Sequence, residues 1–278
     1  ILFTYSSGYF LITYRKKTLL HNVFIFLIIL CSILMIIMSG ERTAVLQILI
    51  FFSILHLAIG IKKKSLNILF ISILTLSMLT ILLNENFRHR LVRDTLVHIG
   101  FNDDKERTFF YISPVHSSYY QAAFKMFNEN KLIGVGPKNY RNVCNIEKYR
   151  VLNKRALERN SESDEINNNH YHNTCNTHPH NFYLQILSET GIFGFTILIS
   201  FFTYITYKIL SFIYFYNLKN EQNLNIFVFL MYLSIFINIF PLAPSGSFFS
   251  TYLGVLLFLP LSIINYYKID TKNDAKKI

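Results

Sequence analysis

Histidines are concentrated in a short polar stretch that leads into a long apolar run. His178 and His180 flank Pro179, and Glu189 lies just before Gly191 and the apolar run. A neutral imidazole, whose ordinary pKa is near 6.5, can accept a proton from a hydroxyl group, so these residue types allow general-base chemistry. On composition alone, a histidine that merely lies at a membrane interface explains the stretch equally well.

The same stretch also has the composition of a zinc site, because histidine and cysteine are ligands that zinc prefers. Zinc sites usually show tighter spacings, such as paired Cys-x-x-Cys, and this stretch is rich in asparagine. We therefore predict that the protein has no metal site and needs no cofactor. The side chains that a metal would use are His170, His172, Cys175, His178 and His180.

The composition is that of an integral membrane protein. The chain is 52% hydrophobic and 15% charged, with a mean hydropathy of +0.33, whereas a soluble domain usually carries about 25% charged residues. Its apolar residues form blocks long enough to cross roughly 30 Å of hydrocarbon. The predicted spans are residues 23–38, 43–61, 66–83, 191–210, 224–240 and 248–266. Residues 1–14 resemble the end of an interrupted helix, so we expect the chain to be the C-terminal part of a longer protein.

Lysine-rich links between the apolar blocks predict the orientation in the membrane. Lysines and arginines cluster at residues 15–17, at 62–64 and in the tail, which all fall on one side. By the positive-inside rule this side is cytoplasmic. The net charge of +11 is then mostly a topology signal, and we expect no nucleic-acid partner. Arg42 and the long polar region face outward.

These observations predict an all-α polytopic membrane helix bundle with a large outward-facing, periplasmic helical loop. Residues 1–83 hold the end of a truncated span and three spans, residues 84–190 form the loop, residues 191–266 hold three spans, and residues 267–278 are a cytoplasmic tail. Within the loop, the apolar spacing over 119–127 predicts an amphipathic helix, and "GVGP" predicts a turn. Residues 158–176 predict a polar surface loop.

The three cysteines and Pro179 give further local predictions. Cys144 and Cys175 lie where disulfides persist, but two cysteines alone leave both a disulfide and two free thiols open. Cys31, inside an apolar block, is predicted to be a small core residue. Pro179 suits a first helical turn, which Thr177 or His178 would cap.

Three motifs, in order along the chain, carry a family resemblance. His180 and Asn181, followed after nine residues by a Gly-x-x-Gly, resemble the signature of the bacterial O-antigen ligase and O-antigen polymerase superfamily. "GERTAVL" resembles its Arg-x-x-x-Leu element, matched by Arg42 and Leu46. "ERTFFY" and "KLIGVGPKNY" resemble the outer-loop segment that opens with an arginine and closes with a Gly-x-Gly-Pro turn. The resemblance covers roughly residues 35–200.

The resemblance implies a metal-independent, inverting glycosyltransferase with a GT-C-like fold. Such an enzyme moves a glycan from undecaprenyl pyrophosphate to an acceptor hydroxyl at the outer face of the bacterial inner membrane, with its active site on the periplasmic side. The implied partners are the lipid-linked donor, the lipid bilayer, and an acceptor that is lipid A-core, a growing glycan or a protein. The sequence does not separate ligase, polymerase and protein O-glycosyltransferase.

The resemblance also implies roles for individual residues. His180 is the candidate base. Arginine pairs bidentately with phosphate oxygens, so arginines would stabilise the pyrophosphate leaving group. The candidates are Arg42 and Arg107, with Arg88 and Arg90 in reserve. The supporting residues are Glu189, Asn181 and His178. Glu189 is expected to lie in an interfacial helix over residues 180–190, outside the lipid, and to orient a basic side chain.

Two other functional classes stay open. A polysaccharide exporter or flippase-type transporter would also be a many-helix membrane protein, and so would a non-enzymatic membrane protein. Transporters more often carry ionisable residues inside their spans. The predicted spans here are almost free of charge, and the polar groups lie outside them, which favours a transferase.

Overall fold

The computed structural model describes the chain in several segments. These are residues 42–59, 85–89, 114–152, 171–172, 175–217, 226–241 and 245–275, together with residues 27, 31–32, 35–36, 71, 75, 79 and 82. The chain forms two compact units. Unit 1 comprises Ile1–Arg93, Phe202–Phe240 and Gly254–Ile278, and unit 2 comprises Asp94–Phe201 and Pro241–Leu253.

Most of the described part is helical, and it also contains turns and one short strand pair. Its helices are α1 (Arg42–Ala58), α2 (Glu85–Arg88), α3 (Pro114–Glu129), α4 (Tyr140–Val143), a 3₁₀ turn (Glu147–Tyr149), α5 (Phe182–Asn217), α6 (Ile226–Asn238) and α7 (Thr251–Ala275). Strands β1 (Val151–Leu152) and β2 (Tyr171–His172) pair antiparallel. The prediction of an all-α protein is confirmed at this level.

Apolar packing of α1 and α6 forms the core of unit 1. Phe51, Phe52 and Leu55 on α1 are each 2% exposed, because they face neighbouring apolar helices. The amide of Gln47 donates to the carbonyl of Ile237 on α6 at 3.2 Å. The Phe212 ring, near the end of α5, stacks on the Phe229 ring of α6, with the ring centroids 4.2 Å apart. These contacts connect α6 to α1 and to the C-terminal part of α5.

One helix in the described part, α5, is long and apolar enough to cross a membrane. Shorter apolar helices cover Thr43–Ala58, Ile226–Asn238 and Thr251–Tyr266, within three other predicted spans. The predicted spans over 23–38 and 66–83 fall almost wholly outside the described residues. Cys31 is exposed, so the prediction that it is a packed core residue is wrong.

The core of unit 2 lies beneath α3 and α4. Ala123 and Met126 from α3 pack against Tyr140 of α4 and Tyr149 of the 3₁₀ turn, all at most 3% exposed. The predicted amphipathic helix over 119–127 is confirmed, since α3 buries this apolar stripe and extends it at both ends. The Cys144 side chain of this core is disulfide-bonded to Cys175, which lies just before the histidine stretch.

A disulfide joins two segments of unit 2 that are distant in the sequence. Cys144 and Cys175 are bonded, which settles the alternative that the sequence left open. The bond and the β1–β2 pair tether both ends of the segment between them. Most of the predicted polar loop over 158–176 lies outside the described residues. Because Cys175 is bonded to sulfur, its thiolate does not contribute to the metal set considered from the sequence.

Helix α5 is broken at one glycine. Gly191 has φ 66° and ψ −161°, so residues 182–190 and 192–217 form two helical segments with different directions. A left-handed φ of this kind is readily available to glycine alone. The break divides a polar first segment, as expected for residues 180–190, from the apolar run that follows.

Candidate functional site

Asn181 begins the first segment of α5. Its side-chain Oδ1 accepts hydrogen bonds from the backbone N–H groups of Tyr183 at 3.0 Å and Leu184 at 3.1 Å. These groups are otherwise unpaired in the first helical turn, so Asn181 is the N-cap. The prediction that Thr177 or His178 caps the helix is therefore wrong, and Pro179 precedes the helix.

His180 does not lie in the helix because its backbone is left-handed, with φ 57°. This conformation is uncommon for a residue with a Cβ atom and costs free energy. The surrounding structure holds it, since the His180 carbonyl accepts a hydrogen bond from the Ser245 N–H at 2.8 Å. The Asn181 amide also donates to the carbonyl of Pro241 at 3.0 Å. The segment after α6 thus fixes the backbone that carries the candidate base.

Two histidine rings and one tyrosine ring surround the His180 ring. The His178 ring lies 4.3 Å from the His180 ring between centroids, and the His116 ring lies 5.5 Å from it at 85°. The Tyr119 ring lies 5.6 Å away. His116 and Tyr119 come from the same face of α3, so this helix forms one wall of the cluster. We call these four residues the histidine cluster.

The hydrogen bonds of His178 define its neutral form. Its Nε2 lies 3.2 Å from the carbonyl oxygen of Ser245, which can only accept, so Nε2 carries the proton. Its Nδ1 is then the acceptor for the Thr177 hydroxyl at 2.8 Å. With both ring nitrogens engaged in this way, His178 holds the cluster in place and presents no free lone pair to a substrate.

Burial keeps both histidines of the stretch neutral. Desolvation lowers the pKa of His180 below its ordinary value. Desolvation also lowers the pKa of His178, and the neighbouring His180 and the Arg141 guanidinium lower it further, although the hydrogen bond to Ser245 acts in the opposite direction. Both rings therefore favour the neutral imidazole, and of the two His180 is the one that can act as a base.

Glu189 is fully buried and binds the backbone of the "GVGP" turn. Its carboxylate oxygens accept hydrogen bonds from the N–H groups of Lys138 at 3.0 Å and Tyr140 at 2.9 Å. The side-chain amide of Gln185 donates to it at 3.2 Å. The expectation that Glu189 orients a basic side chain stays a prediction. Burial raises the pKa of Glu189, and its hydrogen bonds and the charge of Arg141 act in the opposite direction, but its hydrogen-bond donors are two backbone amides and one glutamine amide.

The predicted turn is confirmed and docks on the break in α5. Gly134 and Gly136 have φ of 66° and 101°. The N–H groups of Val135 and Gly136 donate to the carbonyls of Ser188 and Glu189, each at 2.9 Å. The turn and the end of the first helical segment are thereby joined through main-chain hydrogen bonds.

Gln185 connects Glu189 to the segment that precedes α7. Its amide nitrogen also donates to the Ser247 hydroxyl at 3.1 Å, and its Oε1 accepts from the Phe248 N–H at 2.8 Å. Asn181, Gln185 and Glu189 are spaced four residues apart, which places them on one helix face. This buried polar face fixes the segments on either side of the histidine cluster.

Of the four arginines predicted to bind pyrophosphate, two lie in described helices and two lie outside the described residues. Arg42 begins α1, and Arg88 in α2 is exposed and pairs with Glu85 at 3.3 Å. Both belong to unit 1. Arg90 and Arg107 lie outside the described residues, as does the side chain of Arg42. In unit 2, the exposed Arg141 is the arginine whose charge acts on His178.

No group of three metal-ligating side chains arranged to hold an ion occurs among the described residues. The ring of His172 and the whole of His170 lie outside that part of the chain. The predicted site residues that unit 2 brings together are His178, His180, Asn181 and Glu189.

Four residues at the site were given no role from the sequence. His116 and Tyr119, three residues apart on an amphipathic helix, had a signal, because polar aromatic residues there share one face. Gln185 had the four-residue spacing described above. The role of Asn176, which binds the His180 ring at 2.8 Å, depends on a side-chain orientation that no sequence pattern gives.

Comparison with known proteins places the chain in a family. No curated protein and no solved structure matches it significantly. The family model described as O-Antigen ligase matches residues 26–199, which is more than half of the chain. The match includes Arg42, the "GVGP" turn, the histidine cluster and the Gly-x-x-Gly that follows. The chain therefore belongs to the O-antigen ligase family.

Proposed function

We propose that this protein is a membrane glycosyltransferase that transfers an undecaprenyl-pyrophosphate-linked glycan to an acceptor hydroxyl, as an O-antigen ligase or polymerase. The family supports a glycosyl-transferring enzyme of surface polysaccharide synthesis. The observation that carries the proposal is the partly exposed His180 ring, whose pKa is lowered by burial and whose backbone is held by the Ser245 and Pro241 segment. The proposed reaction is inverting and independent of metal.

His180 acts as the general base in this proposal. The acceptor hydroxyl donates its proton to the imidazole while its oxygen attacks the anomeric carbon of the donor glycan. The bond from that carbon to the pyrophosphate breaks, and the pyrophosphate leaves with the electron pair. A single displacement of this kind inverts the anomeric configuration. His178 cannot replace His180, because its Nε2–H is given to the Ser245 carbonyl and its Nδ1 accepts from Thr177.

Arginines stabilise the charge that develops on the leaving pyrophosphate. Fixed cations aimed at the developing charge lower the barrier, and the guanidinium fork matches phosphate oxygens bidentately. We assign this role to Arg42 first and to Arg107 second, with Arg88 and Arg90 in reserve. The family match over residues 26–199 includes these four positions. Three supporting residues, Asn181, Glu189 and His178, maintain the geometry around the base.

The proposed location is the bacterial inner membrane, with the site on the periplasmic side of a multi-span, GT-C-like bundle. Large apolar side chains on α5 and α7 support a lipid environment, because they are exposed in the protein alone. Phe193 and Ile197 are 63% and 72% exposed, and Phe258 is 68% exposed. The lysine-rich links support the orientation. A disulfide in unit 2 suits an oxidising compartment such as the periplasm.

The test of the base is His180→Ala in purified protein, assayed with a lipid-linked glycan donor and a glycan acceptor. General-base catalysis is typically worth about 10²–10⁴-fold, so we expect turnover to fall by that factor while donor binding is retained. Activity of the unaltered protein should persist in EDTA. His116→Ala in the same cluster is the matched control and should be milder, because its ring lies beside the His180 ring and the base is still present.

Two outcomes would contradict the proposal. Turnover of His180→Ala close to that of the unaltered protein would remove the base assignment. Loss of activity in EDTA, with recovery on addition of zinc, would instead show that the histidines serve a metal. Disruption of the gene separates the two family activities, because uncapped lipid core with intact carrier-linked polymer indicates a ligase and single repeat units indicate a polymerase.

A further inference from the structure

We propose that Asn176 is a positioning residue that selects the protonation site of the His180 ring and marks the place of the acceptor hydroxyl. This inference rests on the proposed function, in which His180 is the base. Asn176 lies directly after the disulfide-bonded Cys175 and before Thr177. Its side-chain amide lies within hydrogen-bond distance of Nε2 of the His180 ring.

The orientation of the Asn176 amide follows from its neighbours. The backbone N–H of Thr177 donates to a side-chain atom of Asn176 at 2.7 Å, and an N–H donor requires an oxygen acceptor. That atom is therefore Oδ1. The opposite end, Nδ2, lies 2.8 Å from Nε2 of His180. The assignment uses the hydrogen-bond network, as it must when hydrogens are placed by chemistry.

This orientation determines the tautomer of His180. Nδ2 of an amide is a donor only, so it can bind Nε2 of His180 only when Nε2 carries a lone pair. The proton of the neutral ring then lies on Nδ1. A protonated ring would place an N–H against the N–H of Asn176, and the amide cannot turn without losing its bond to the Thr177 N–H. Asn176 therefore favours a neutral His180 with its basic nitrogen at Nε2.

The same contact indicates where the acceptor binds. A sugar hydroxyl that is to be deprotonated must donate to the Nε2 lone pair, which the Asn176 N–H occupies here. The hydroxyl therefore replaces this N–H in the reacting complex. When its oxygen attacks the anomeric carbon, the proton passes to Nε2 and the ring becomes an imidazolium, while the electron pair of the broken carbon–oxygen bond leaves with the pyrophosphate.

Few charged groups face His180 from the packed elements. From α3 the neighbours are the His116 and Tyr119 rings, and from its own segment the His178 ring. Arg141 lowers the pKa of His178, and the segment before α7 contributes the uncharged Ser245 backbone. No carboxylate hydrogen-bonds His180 within the described residues. A new carboxylate at position 176 would therefore be the decisive change in its surroundings.

Asn176→Asp tests the proposal without changing the shape of the side chain. A carboxylate accepts both from the Thr177 N–H and from a protonated His180 Nε2, so it stabilises the imidazolium. We expect the pKa of His180 to rise by at least about one unit. The acid limb of the kcat/KM profile should move to higher pH by the same amount. At a pH below the His180 pKa of both proteins, kcat/KM of the variant should be about tenfold lower for each unit by which that pKa rises.

The direct readout is the ¹⁵N spectrum of histidine-labelled full chain in detergent, with the His180 signals assigned by their absence in His180→Gln. The unaltered protein should show the proton on Nδ1 in the neutral ring. Asn145→Asp, an exposed neighbour of Cys144, adds the same charge without a hydrogen bond to His180 and should leave both the tautomer and the pKa nearly unchanged.

Either of two results overturns the inference. One is a neutral His180 that carries its proton on Nε2 in the unaltered protein, which is measurable even if Asn176→Asp fails to fold. The other is an unchanged His180 pKa in a folded Asn176→Asp variant. Both concern the ring and not the turnover, so they differ from the failure of the proposed function, which is undiminished transfer by His180→Ala.

Discussion

Glu189 is a fully buried acidic residue, so its carboxylate oxygens need hydrogen-bond donors from the surrounding protein. Its side chain is 0% exposed, and a buried carboxylate is tolerated only when its oxygens are hydrogen-bonded. Oε2 accepts from the Lys138 N–H and the Gln185 amide, and Oε1 accepts from the Tyr140 N–H. Two donors come from the segment after the "GVGP" turn, about 50 residues earlier in the chain, and the third lies one helical turn away on α5. Glu189 therefore holds the "GVGP" turn against α5.

Glu189→Gln should destabilise this arrangement while changing little in volume. A glutamine oxygen can still accept from Lys138, but its NH₂ then faces the Tyr140 N–H, and two donors cannot bond. We expect the free energy of unfolding to fall by about 1–3 kcal/mol, the usual cost of an unsatisfied buried group. Chemical unfolding of the purified protein measures this. Glu147→Gln, on an exposed residue of the 3₁₀ turn, is the control and should unfold like the unaltered protein.

The proposed binding of the lipid-linked glycan donor is tested most directly at Arg42. We expect Arg42→Ala to abolish or severely lower transfer, and Arg107→Ala to lower it less. Arg42→Lys should recover only part of the activity, because an ammonium group cannot pair bidentately with phosphate oxygens. The assay is turnover with purified lipid-linked donor, accompanied by a check of membrane insertion. Near-normal turnover of Arg42→Ala would show that this arginine contacts lipid headgroups instead.

Residue types were easier to predict from the sequence than their partners. His180 was singled out because an imidazole can act as a base and because the motif resembles that of a family. The Asn176 contact, the Ser245 contacts and the donors to Glu189 were not predictable. Each joins residues that are far apart in the chain or depends on the rotation of one amide, and local spacing contains neither. The helix cap was misplaced because the left-handed backbone of His180 delays the helix to Phe182.

At the scale of elements, the site depends on a close approach between the "GVGP" turn and the break in α5. A Cβ atom added at Gly134 would lie 2.4 Å from the backbone carbon of Glu189, and one added at Gly191 would lie 2.3 Å from the Leu132 carbonyl oxygen. Both glycines also have left-handed φ. Two elements can be joined by main-chain hydrogen bonds here only because neither has a side chain between them.

Gly191→Ala should therefore separate the turn from α5. The substitution forces both a steric overlap and an unfavourable φ, and overpacking alone costs about 1–3 kcal/mol. We expect a lower unfolding midpoint and a loss of transfer, with Gly134→Ala behaving similarly. Gly246→Ala is the matched control, because a Cβ atom there meets no other atom within 4 Å. Equal stability of Gly191→Ala and Gly246→Ala would contradict the docking described here.

The helix with a clear apolar period and the glycine-rich turn were predictable, and the short strand pair was not. The spacing over 119–127 predicted α3, and Gly-x-Gly-Pro predicted a turn because glycine allows the positive φ that turns use. The sequence also placed the change from polar to apolar helix near residue 190. It did not predict β1 and β2, since two-residue strands carry no periodic signal, and their pairing lies beside the Cys144–Cys175 bond, which the sequence left open.

For the whole molecule, composition predicted a membrane protein, and the family match over residues 26–199 extends across both units. One described helix has the length and composition of a span, and the remaining predicted spans are shorter helices or lie outside the described residues. The number of spans and their orientation thus stay predictions. They rest on the length of the apolar blocks and on lysine asymmetry, which is a property of the insertion process and leaves no mark on side-chain contacts.

Orientation is testable with single cysteines in intact cells. Exchange of the free Cys31 for serine leaves the disulfide-bonded pair, which does not react with maleimides. Glu147→Cys, exposed in unit 2, should then react with a membrane-impermeant maleimide added to spheroplasts, because residues 84–190 are predicted to lie outside. Lys63→Cys should react only after the membrane is permeabilised, since residues 62–65 are predicted to be cytoplasmic. Labelling of position 63 in intact spheroplasts would invert the topology and place His180 on the cytoplasmic face, where a periplasmic glycan acceptor could not reach it.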